Sequence, residues 1–189
     1  NSDAQSIASF LSEPVQVEEI YVYMQTNYGT SVTPFYTTLA LWVGGIVLVA
    51  LMKVKVDYED DEFKDATEHQ KYMGRALLFL AMGQLQALVV VLGDLYILKI
   101  DCTHPFMLWL AAAITSFVFT LFIYTLVLTF GDLGKAIAVV MIVLQIAGSG
   151  GTYPIELLPE FFQNVYLYFP FPYAINAMRE AISGLYQCD

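Results

Sequence analysis

Gly148–Gly184 reads GSGGTYPIELLPEFFQNVYLYFPFPYAINAMREAISG, apolar sequence punctuated by four glycines and four prolines. Between the breaks lie Ile155–Phe169 and Tyr173–Tyr186, 15 and 14 residues long. As helices these reach only ~21–22 Å at 1.5 Å per residue, too short for a hydrocarbon core of ~30 Å. Each is expected to enter the membrane and turn back. Irregular backbone at membrane depth persists only where protein or water surrounds it, because an unsatisfied amide in lipid costs on the order of several kcal/mol. The breaks at Gly148, Gly150, Gly151, Pro154, Pro159, Pro170 and Pro172 therefore mark a protein-lined site.

Within the stretch, Thr152 is placed to cap a first helix with Pro154 and Glu156 in its first turn, and Pro159 restarts or kinks it. Phe169-Pro170-Phe171-Pro172 reads as a hinge. Beyond it Ala174, Met178, Ala181 and Leu185, with Ile175 and Ile182, recur at helical spacing, while Asn176, Arg179, Glu180 and Ser183 occupy other faces. Such an amphipathic helix either re-enters the membrane or lies flat on its outer interface. If it re-enters, Arg179 and Glu180 need partners, and Glu156 is placed to pair with Arg179 across the hairpin.

Composition sets the class. The chain is 58% hydrophobic and 14% charged, with a mean hydropathy of +0.60, outside the range of soluble globular domains. A net charge of −10 argues against a nucleic-acid partner. Seven of the eighteen acidic residues fall between Asp57 and Glu68, so the acidity belongs largely to one loop. Two cysteines, Cys102 and Cys188, are too few for a disulfide framework or a zinc site. No cofactor or metal is expected.

Four spans are expected, at about 34–52, 74–98, 105–130 and 134–147, followed by the hairpin at 148–186. Residues 1–33 read as a polar extracellular lead-in from an absent ectodomain, in a chain that looks like a piece cut at both ends. Ala40 and Gly44, and again Gly83 and Ala87, give the small-residue spacing of close helix contacts. Five of the eight Lys and Arg residues lie in Lys53–Arg75, and Lys135 makes six on that side, leaving Lys99 and Arg179 on the other. The positive-inside rule, which ignores acids, then places that loop in the cytoplasm and the hairpin outside. Asp57, Glu59, Asp60, Asp61 and Glu62 form either a solvated loop or a short acidic helix offered to a basic partner. Cys102 and Cys188 share the oxidising side, which permits a disulfide.

Inside the spans the polar residues are Gln84, the row Ser116, Thr120 and Tyr124 at four-residue intervals, and Gln145. Interhelical bonding explains them, or a substrate path does. Asp94 lies close enough to a span end to reach the interface. His69 and His104 sit in different loops on opposite sides, so no catalytic set can be assembled and an enzyme is not expected.

The motifs FLSEPV (Phe10–Val15), NYG (Asn27–Gly29), LALWVGG (Leu39–Gly45), GDL (Gly93–Leu95), GKA (Gly134–Ala136), LQIAGSGGTYPIELLPEFFQ and FPFPYAINAMREAISG resemble the carboxyl-terminal membrane domain of the phage infection protein (Pip/YhgE) family. That family is in turn similar to membrane subunits of type-2 ATP-binding-cassette exporters. The resemblance implies an all-α integral membrane fold with a re-entrant hairpin on the extracellular side and a final helix absent from this chain. It also implies a permease-like role in export or secretion at the plasma membrane, and a loop Lys53–Arg75 placed where exporters dock an ATPase. No phosphate-binding loop or Walker-type lysine occurs here, so ATP chemistry would sit on a separate polypeptide. Implied partners are membrane lipid, a second copy in a homodimer, ATPase or secretion-system subunits, and phage through the ectodomain. The rival reading is a membrane anchor and dimer scaffold accompanying type VII secretion, with no substrate path.

Overall fold

A computed structural model describes residues 28–54, 67–149, 151 and 157–184. The lead-in through residue 27, the acidic run Asp57–Glu62, Gly150, Thr152, Pro154, Glu156 and Cys188 lie outside the described residues. Everything described is helix or connecting turn, which makes this an all-α membrane domain.

Helix α1 runs Tyr28–Leu51 and starts six residues ahead of the expected span, carrying Pro34 inside it. Thr33 and Thr38 donate their hydroxyls to the carbonyls of Gly29 and Pro34, 2.8 and 2.7 Å away, the local bonding that lets threonine and proline sit in a membrane helix. Helix α2, Glu68–Leu92, also starts early. Thr67 caps it, accepting from the Gln70 amide while its own N–H donates to Gln70 Oε1 at 2.9 Å, a reciprocal box that the TEHQ sequence encodes. The helix continues into a π-helical turn, Gly93–Ile97.

Helix α3, Pro105–Phe130, opens with proline in its first turn, where no N–H is needed. It reverses through one residue, Gly131 (φ +61°), into α4, Asp132–Gly148. Gly134 then lies so close to α3 that a Cβ there would sit 2.4 Å from the Leu126 carbonyl oxygen. Tyr28–Leu51, Glu68–Ile97 and Pro105–Phe130 are long and apolar enough to cross a membrane. With 17 residues, α4 extends ~25 Å and completes the bundle as a shorter fourth helix.

The hairpin is shorter in its first arm than expected. Pro159 is extended and precedes α5, Glu160–Val165, which tightens into a 3₁₀ turn at Tyr166–Tyr168. Its second arm is longer at the start: α6 spans Pro170–Ser183, with both Pro170 and Pro172 in its first turn. The expected four-residue hinge is therefore Phe169 alone, because prolines at the amino end of a helix break no hydrogen bond.

The close contact of α1 differs from the one its small residues predict. Ala40 is exposed, and α1 instead turns Gly44 and Gly45 inward, toward the Gln86 side chain and Ile123. Gly83 and Ala87 are buried at the α2–α3 contact as their spacing predicts.

Orientation can be read chemically. Glu160 is exposed on the hairpin side and Asp132, whose side chain is 96% exposed, on the loop side, whereas Thr30 is buried and unsuited to labelling. With both native cysteines replaced, Glu160→Cys is expected to react with an impermeant thiol reagent on intact cells, and Asp132→Cys only after permeabilisation. The reverse pattern would overturn the six-to-two charge argument.

Candidate functional site

Helix α6 buries Phe171, Pro172, Ala174, Ile175, Met178, Ala181 and Ile182, the face its sequence periodicity marks. At its start the Phe171 ring lies 5.5 Å from Phe119, stacked, and 5.6 Å from Trp42, edge-on. Phe119 is 14 residues into α3, ~21 Å from that helix's amino end and past its middle. At the other end of α6, the N–H groups of Thr103 and His104 donate to the Ile182 and Ala181 carbonyls at 2.9 and 3.0 Å. The last-turn carbonyls that a helix leaves orphaned are thus satisfied by the turn before α3. In place of a helix lying flat across the span ends, α6 stands antiparallel to α3 along the latter's amino-terminal half.

The base of the hairpin closes on glycines. Gly148 is covered by the Phe162 ring and Gly151 by Phe35 and Ile175, contacts so tight that a Cβ would come within 2.9 and 2.4 Å. Arg179 is half-buried, donating from Nη2 to the Gly151 carbonyl at 3.3 Å and from Nη1 to Asn176 Oδ1 at 3.4 Å. The partner Arg179 needs is thus backbone freed by the break after α4, together with a neighbour on its own helix. The expected Glu156 lies outside the described residues, and Glu180 beside it is half-buried. Cys102 carries a free thiol that donates to the Ala181 carbonyl at 3.5 Å, and burial pushes that thiol's pKa up. The possible disulfide to Cys188 falls outside the described residues.

The polar residues of the spans divide into two groups. Gln84 donates to the Ala113 carbonyl at 3.0 Å, Ser116 to the Gly83 carbonyl at 2.8 Å, and Tyr124 to the Tyr72 carbonyl at 3.3 Å, while Thr120 packs on Gly83. These join α2 to α3. Asp94 departs from its expected place: it is buried in the π-helical turn and accepts from Thr37 of α1 at 2.6 Å. Gln145 of α4 is fully buried, and among the described residues neither of its side-chain polar atoms finds a hydrogen-bond partner. Sequence reasoning missed Asp94, since the five-residue helical turn that swings it inward leaves no signal in residue spacing.

On the loop side, Arg75 donates from both Nε, at 2.9 Å, and Nη2 to the Lys53 carbonyl. A cleft of about 360 Å³ adjoins this clasp, lined by Val49–Val54, which are the end of α1 and the residues just after it, and by Val127, Gly131, Asp132 and Lys135.

A membrane bundle with a short helical hairpin packed at one end and the ends of a loop clasped at the other has the build of a permease-like domain, held in the plasma membrane by several passes. The model of the ABC-2 type transporter family matches residues 69–182, well over half of the chain, and the chain belongs to that family. It is also 31% identical over 184 residues, 97% of its length, to a Bacillus subtilis (strain 168) protein described as "Uncharacterized protein YhgE", in keeping with the motif resemblance. The chain spans about a quarter of that relative, 23% of its length. No solved structure matches.

Proposed function

We propose that the chain is the membrane part of an export or secretion device of the cell envelope, driven by an ATPase on a separate polypeptide that docks on Lys53–Arg75. The Arg75 clasp is the observation that carries this reading. A guanidinium on the carbonyl just past the end of α1 is favoured by the helix dipole and ties the end of α1 to the second turn of α2. The cleft adjoins this clasp, and the acidic sequence Asp57–Glu62 suits a partner with a basic face. Phage recognition, where it occurs, is assigned to the part of the intact protein outside the membrane, and the membrane domain is read as half of a homodimer.

The scaffold reading has one observation in its favour, since Gln84, Ser116 and Tyr124 are all spent on holding α2 to α3. A photo-crosslinker at Asp61 of the intact protein separates the two. Capture of an ATPase is expected, with the yield falling about tenfold in Arg75→Ala, the order expected when bonds from a charged donor are lost. Capture of a second copy alone, unchanged by Arg75→Ala, would favour the scaffold.

A further inference from the structure

Gln145 lies on the buried stripe of α4, with Gly134, Ala138, Ile142 and Gly148, one turn before the helix breaks. Its amide is wholly buried, and neither Nε2 nor Oε1 finds a hydrogen-bond partner among the described residues. That sets it apart from Gln84, Ser116 and Thr37, each of which bonds across to a neighbouring helix. An unbonded carboxamide in apolar surroundings is strongly unfavourable, and methionine would fill similar space without that penalty. Packing therefore does not account for a glutamine here.

Its surroundings indicate what does. Two turns inward, the Ala138 carbonyl accepts from the Trp42 indole at 3.2 Å, which turns the stripe toward α1. The outer half of α1 buries Thr30, Thr33, Thr37 and Thr38 along with Pro34 and Phe35, whereas its inner half buries only Leu41, Trp42, Gly44, Gly45 and Val49. Polar side chains thus gather on the hairpin side of Trp42. One turn outward of Gln145 is the hairpin base, where Phe162 covers Gly148 and Phe35 with Ile175 covers Gly151. Arg179 holds that base shut through the Gly151 carbonyl.

We propose that Gln145 is the inner contact of a water-accessible passage closed by the hairpin base, and that water bonds its amide when the Arg179 latch releases. A neutral carboxamide offers a donor and an acceptor, which matches water and gives an ion no countercharge. This deepens the permease reading and rests on it for purpose, while hydration of Gln145 is a property of the fold itself.

The test uses the intact protein in membranes, with both native cysteines replaced and Gln145→Cys introduced. A small impermeant methanethiosulfonate reagent is expected to modify position 145 slowly, and about tenfold faster with Arg179→Gln, the shift that losing one bond from a charged donor gives. In lipid nanodiscs, Gln145→Met is expected to raise Tm by about 2–6 °C, since it removes an unpaired buried amide at similar volume. Equal inertness of position 145 with and without Arg179, or a lower Tm for Gln145→Met, would overturn the proposal. Neither readout involves export, so its failure leaves the permease reading standing. Success of both alongside a failed ATPase capture would count against the permease reading alone.

Discussion

Trp42→Ala is expected to loosen four helices at once and to free the hairpin. The Trp42 ring meets Phe119 of α3 at 4.9 Å and Phe171 of α6 at 5.6 Å, and its indole N–H reaches the Ala138 carbonyl of α4 at 3.2 Å. It is fully buried. Within a bilayer, helices associate through packing and hydrogen bonds more than through the hydrophobic effect, so an emptied volume at a junction has no cheap replacement. Truncating a buried tryptophan costs about 3–5 kcal/mol. Melting in nanodiscs should show that loss, and protease should cut the hairpin of the variant while sparing the parent. Trp42→Phe, which keeps a ring at the junction but loses the indole hydrogen bond, should fall between. A variant melting within a degree of the parent would mean that α6 is not anchored at this junction.

The second large effect is expected at Gly134. A Cβ there would stand 2.4 Å from Leu126 O and 2.8 Å from both Leu126 C and Val127 Cα, all backbone atoms of a helix that cannot swing aside. Gly134→Ala must push α4 away from α3 next to a turn of one residue, so a cost at or above the usual overpacking range of about 1–3 kcal/mol is expected. Gly74→Ala is the control. It has open space around it in α2 and should stabilise by about 0.5–1 kcal/mol through helix propensity. Gly44→Ala should be mild despite a closer contact of 1.8 Å, because the obstacle is the flexible end of Gln86. Thermal melting of the three variants side by side checks the order, and Gly134→Ala melting with Gly74→Ala would refute it.

Much of the fold is legible in the residues. Long uncharged runs leave a chain in lipid no choice but helix, and the glycines and prolines of Gly148–Gly184 mark where helix stops. The buried face of α6 follows from the spacing of Ala174, Ile175, Met178, Ala181 and Ile182 alone. Gln84 and Ser116 are recognisable as helix-joining residues, because a polar group in lipid must find a bond somewhere. The capping box at Thr67 and Gln70 was also there to be read, and extends α2 beyond its apolar run.

Other properties exist only once the helices are together. An amphipathic helix has the same sequence flat on an interface or upright in a bundle; what decides is the aromatic junction of Trp42, Phe119 and Phe171, contributed by segments far apart in the chain. Asp94 is written as a residue near a span end, but the π-helical turn rotates it inward onto Thr37. Arg179 finds a carbonyl and Gln145 finds no partner among the described residues, though both are polar residues near the break after α4. Periodicity is a local, one-dimensional property and dictates which face of a helix is apolar. Which atoms complete a polar group's hydrogen bonds depends on the relative rotation and depth of separate helices, and those are settled only by their mutual packing.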